Sequence, residues 1–141
     1  MKKLPPVALS IVGVALLGQS SIAGEVKPKP VDCYFFRGEQ LEVQQTCTYR
    51  SSSWAGGGGG SLTWEDSVKT KFQWGLQGRG ERLCPQKGDR PFDSMAIDGV
   101  CGTNYLRSAK TLKAISQDEG NKLSKVIQCT RVKQNSVCWI F

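Results

Sequence analysis

The residues able to do chemistry here are cysteines, tryptophans and an excess of cations, and what is absent matters as much. The 141-residue chain contains no histidine. That removes the usual general base and every Ser-His or Cys-His nucleophile pair. Six cysteines are present, and none falls in a Cys-x-x-Cys pair, so a thiolate metal site has no suitable spacing. Carboxylates offer little more. Glu65 and Asp66 are neighbours, which point to opposite faces of a strand or out to water from a turn. Asp32, Asp98 and Glu119 fall at strand starts or turns. The inventory therefore predicts no catalysis, no cofactor and no metal.

Binding chemistry has better material. Trp54, Trp64, Trp74, Tyr34, Tyr49 and Tyr105 are interspersed with Lys69, Lys71, Arg79 and Arg82. Aromatic faces beside cations hold sugar rings or acidic partners. The residues expected to touch a ligand are Trp54, Lys69, Lys71, Arg79 and Arg82. Nineteen Lys and Arg stand against twelve Asp and Glu, a formal charge of +7. Nothing resembles a nucleic-acid-binding motif. The glycine run Gly56–Gly60 lacks the Gly-Lys-Ser/Thr and helix that a phosphate loop needs. Five consecutive glycines instead predict a flexible connection.

These residues are carried by a chain that reads as exported. Met1-Lys2-Lys3 is charged, Val7 to Leu17 is largely apolar, and Ser21 and Ala23 place small residues before Gly24. Residues 1–23 are thus expected to be a cleaved signal peptide. Lys2 and Lys3 leave with it, lowering the formal charge from +7 to +5. The apolar run is about half the roughly 20 residues of a spanning helix, so no stable membrane insertion is expected after cleavage. Residues 24–30, with Lys27-Pro28-Lys29-Pro30, predict an extended spacer. Residues 31–141 form one domain by size.

An even cysteine count in an exported chain predicts three disulfides. The expected bridges are Cys33–Cys47, Cys84–Cys101 and Cys129–Cys138. The first and last span proposed hairpins. A four-residue connection, Val132 to Asn135, sets Cys129 opposite Cys138. Strict pairing about Gly38-Glu39 puts Cys33 opposite Gln44, so the first bridge needs a bulge or a longer loop.

The strongest local pattern is Ser61–Trp74. Val68, Thr70, Phe72 and Trp74 alternate with Lys69, Lys71 and Gln73, which predicts one buried face and one wet, basic face. Glu65-Asp66-Ser67 is the turn of that hairpin. Asp98-Gly99 predicts another between Ser94–Ile97 and Val100–Cys101. Residues 108–118 fit helix and strand equally, and 118–121 read as a turn. Together these elements predict an all-β or mainly β domain: a small antiparallel barrel or sandwich of about seven or eight short strands. The expected function is non-catalytic binding of an anionic or glycan envelope ligand. The alternative is a protein-directed inhibitor of an envelope enzyme, since a rigid bridged β scaffold can present one loop. A carboxylate-dependent hydrolase ranks third.

Overall fold

A computed structural model describes residues 24–78, 80–85 and 93–141. The proposed signal peptide lies outside the described residues. The described residues form nine antiparallel strands: β1 (Glu25–Arg37), β2 (Gln40–Trp54), β3 (Gly57–Thr63), β4 (Lys69–Gly75), β5 (Ser94–Ile97), β6 (Val100–Ser108), β7 (Ala114–Ile115), β8 (Val126–Val132) and β9 (Asn135–Ile140). They pair in the order β5-β4-β3-β2-β1-β9-β8-β6-β7, and β5 also pairs with β6. That last pairing closes a ring of eight strands, with β7 appended to β6. Closure leaves the ring without a long open edge for another chain to pair with.

Period two places the core. Val31, Cys33 and Phe35 of β1 face inward with Cys47 and Tyr49 of β2, Leu62 of β3, Phe72 of β4, Ile97 of β5, and Val137 and Trp139 of β9. Tyr34, Phe36, Ile127, Cys129, Cys138 and Ile140 form a second cluster on the outer face, against which Ala109 and Leu112 pack. The alternation in β4 is as the sequence predicts: Thr70 and Phe72 are buried, and Lys69, Lys71 and Gln73 are exposed. Val68 departs from it. It precedes the strand and is 57% exposed.

All three expected disulfides are present, Cys33–Cys47, Cys84–Cys101 and Cys129–Cys138. Cys129 faces Cys138, the expected register, but Val132 pairs with Asn135, so the connection is the two residues Lys133-Gln134 and not four. The bulge required by the first bridge lies between Phe35 and Phe36, and it sets Cys33 opposite Gln45. Cys47 then lies diagonally across, opposite Val31, on the same inward face. Such bridges belong to an oxidising, exported environment.

Three further expectations are corrected. Gly57–Gly60 is not a flexible connection but the first half of β3, paired on one side with β2 and on the other with β4. Residues 25–30 are not a spacer; they begin β1, with Glu25 opposite Ser52 and Pro30 opposite Thr48. Two features admit the prolines. The register skips between Val26 and Lys29, and β9 joins β1 only from Asp32 onward, so the missing N–H groups cost no ladder on that side. Finally, 118–121 lies in a short helix, α1 (Gln117–Asn121). Ser116 caps it by accepting a hydrogen bond from the Glu119 N–H at 3.1 Å, the Ser-x-x-Glu arrangement of a capping box. No helix among the described residues is long and apolar enough to cross a membrane.

Candidate functional site

The glycine strand shapes the most chemically distinctive surface. On its inward side, Gly58 lies opposite Trp74 and Gly60 opposite Phe72. A Cβ at Gly58 would land inside the Trp74 ring, and one at Gly60 would come within 2.7 Å of the Phe72 ring. On its outward side, a Cβ at Gly59 would stand 3.7 Å from the Trp54 ring. Bare backbone is therefore roofed by aromatic rings from both neighbours. The outer face above it is a shallow groove of about 360 Å³, lined among others by Glu25, Arg50, Trp54, Ser61, Lys71 and Gln73.

Register explains the groove. Arg50, Ser61 and Lys71 lie side by side across β2, β3 and β4. Two strand spacings place the backbones of Arg50 and Lys71 roughly 10 Å apart, with only a serine between them. Ser52, Gly59 and Gln73 make the next row. Trp54 closes the end, with its Nε1–H donating to the Leu76 carbonyl at 2.7 Å. The residue is 38% exposed. Lys69 stands one row beyond Lys71 at that inner pair's other side, opposite Thr63. Arg50, Lys69 and Lys71 form no ion pair among the described residues. Asp98 moderates the local field, since its Oδ1 accepts from the Lys71 backbone N–H at 2.9 Å.

Two of the five expected ligand residues, Trp54 and Lys71, thus share one groove. Lys69 adjoins it. Arg82 is exposed and its backbone is bridged to Leu76, beyond the Trp54 end, so it does not line the groove. Arg79 lies outside the described residues. Sequence reasoning missed Arg50, although its place between the inward Tyr49 and Ser51 marks it as outward. The other aromatics disperse. Trp64 donates to Thr70 Oγ1 at 2.9 Å at the barrel's opposite end, Trp74 and Tyr49 pack inside, and Tyr34 and Tyr105 belong to the outer cluster. Burial, with Asp32 nearby, holds the Tyr34 phenol above its usual range.

Compared with known protein families, curated proteins and solved structures, the chain has no match.

Two further hollows lie at the two ends of the barrel. The turns after β1, β3, β5 and β8 share one end, and a cup of about 540 Å³ opens there. Phe35, Trp64, Ile97 and Val137 line it, with Val68, Val100, Asp66 and Asp98 at the turns. At the other end a cavity of about 580 Å³ is lined by Tyr49, Phe72, Trp74 and Trp139, with Asn104 and Gln128 above. Among the described residues, the nearest acidic groups do not gather into a metal-binding cluster.

Proposed function

We propose that this protein is an exported, non-catalytic binding protein, acting in the periplasm or outside the cell, whose outer groove holds an anionic glycan. The observation that carries this reading is the Arg50–Ser61–Lys71 row beside Trp54 on a bare glycine strand. A sugar ring can lie on the indole face while its carboxylate or sulfate meets the two cations. The glycines matter because a side chain at Gly59 would fill the floor. Attraction between exposed charges is screened by salt, so retention should fall as salt rises.

The test uses the mature protein and two oligosaccharides of equal length, a galacturonate and its neutral galactose counterpart. Calorimetry should show binding of the charged oligomer, at least tenfold weaker binding of the neutral one, and loss of binding in Arg50→Gln/Lys71→Gln with unchanged melting. Equal affinity for both oligomers defeats the anionic reading.

The inhibitor reading has its own observation. Val68 and Val100 are 57% and 50% exposed at the hairpin end, where rigid turns surround an apolar cup. A protein partner inserting a loop there is the second reading, and Val68→Asp would abolish its capture while leaving glycan binding intact.

A further inference from the structure

Granted the reading above, that the outer groove holds an anionic glycan, two rows of its side chains decide which one. Arg50, Ser61 and Lys71 make the first row. The second holds Glu25, Ser52, Gly59 and Gln73, aligned across β1, β2, β3 and β4. Residues two apart on a strand share a face, so both rows look outward. They stand about 7 Å apart along the strands. A chain laid along the strands meets one row and then the other.

The rows differ in chemistry. The first carries two cations. The second carries the Glu25 carboxylate, the Ser52 hydroxyl and the Gln73 amide, all in the groove lining. A Cβ at Gly59 would stand 3.3 Å from Gln73 Cγ and 3.7 Å from the Trp54 ring, so both side chains lean over the second row. The Trp54 Nε1–H is already given to the Leu76 carbonyl at 2.7 Å. The indole therefore offers a guest its face and not its donor. That face is the negative side of the ring quadrupole. A carboxylate placed there would meet it and the Glu25 charge together.

We infer that the groove selects a glycan in which a uronate alternates with an N-acetylated amino sugar. The uronate lies over Arg50 and Lys71, and the acetamido sugar lies over Gly59. The acetamido N–H donates to Glu25, and its carbonyl accepts from the Gln73 amide, groups that match in donor and acceptor. The apolar face of that sugar stacks on Trp54. A chain charged at every sugar brings a second carboxylate against Glu25, and like charges brought together oppose binding. A neutral chain leaves Arg50 and Lys71 without a counter-charge.

Three hexasaccharides separate these cases in the mature protein by calorimetry: hyaluronan (glucuronate alternating with N-acetylglucosamine), galacturonate alone, and N-acetylglucosamine alone. The hyaluronan hexamer should bind about tenfold more tightly than hexagalacturonate, although it carries half as many charges. The N-acetylglucosamine hexamer should bind most weakly. Glu25 is exposed near the start of β1, so Glu25→Gln should leave melting unchanged. It should tighten hexagalacturonate binding and shrink the preference to about twofold. In transferred NMR contacts, the acetyl methyl should lie against the Trp54 indole protons. Hexagalacturonate binding as tightly as the hyaluronan hexamer overturns the alternation and leaves the anionic groove standing. Binding of none of the three overturns both. An undiminished preference in Glu25→Gln, or indole contacts to the uronate in place of the acetyl group, overturns the assignment of the second row. The comparison on the native chain decides the alternation without any variant.

Discussion

At the scale of single residues, Arg107 shows how far a charged side chain can serve structure. It is 1% exposed. Its Nε donates to the Tyr105 hydroxyl at 3.0 Å, and Nη1 donates to the Leu112 carbonyl at 2.9 Å and to Glu39 at 3.1 Å. The guanidinium lies 3.9 Å from the Phe36 ring centroid. One fork thus ties β6 to the β1–β2 turn and to the loop after Ser108. Its ion-pair partner Glu39 is 72% exposed, so the pair itself contributes little. Arg107→Ala should cost about 3–5 kcal/mol, through a large buried void and carbonyls left without their donor. Glu39→Gln should cost less than about 1 kcal/mol. Urea unfolding of the two variants checks this, and equal losses would show that the ion pair dominates. None of this is legible in the sequence, where nothing marks Arg107 as a buried side chain. Its partners arrive from three separate segments. Lys69 and Lys71 were legible because their exposure follows from alternation alone.

At the scale of elements, the hairpins and bridges could be read because side-chain alternation and turn chemistry are local. Asp98-Gly99 turns as predicted, with φ of 48° and 82°, values that Asp tolerates and Gly favours. The glycine strand could not be read that way. Glycine has no side chain to alternate, and its unfolded-state entropy argues for a loop. What overrides that entropy is non-local: Trp74 and Phe72 cover one face of β3 and Trp54 the other. This makes a graded prediction. Gly58→Ala should destabilise by about 1–3 kcal/mol, because the new methyl overlaps the Trp74 ring in a filled site. Gly59→Ala should change stability by no more than about 1 kcal/mol, since its nearest neighbours would be 3.1 and 3.3 Å away. Thermal melts of the two alanine variants should therefore differ clearly. Matching melts would mean that β3 behaves as the flexible run its composition implies.

At the scale of the whole molecule, closure of the ring rests on unequal seams. β1 and β2 pair along nearly their full lengths. β4 and β5 share only Phe72↔Ile97 and Gln73↔Ala96, extended by Asp98, whose backbone N–H donates to the Lys71 carbonyl at 2.8 Å and whose carboxylate accepts from the Lys71 N–H. The barrel should open first there. The three disulfides close loops of 14, 17 and 9 residues in separation, and loop entropy distinguishes the longest from the shortest by only roughly half a kcal/mol. Position distinguishes them more. Cys33–Cys47 and Cys129–Cys138 each brace a hairpin that already has a long ladder. Cys84–Cys101 instead ties the connection after β4 to β6, across the weak seam. Replacing Cys84 and Cys101 by Ser should therefore raise amide exchange at Lys71, Ala96 and Ile97 by about tenfold or more, as local opening does. Protection in β1, β2 and β9 should change far less. Hydrogen exchange followed residue by residue checks this. A uniform rise across all strands would mean that the ring opens only by global unfolding, and that the short β4–β5 ladder is no weaker than the rest.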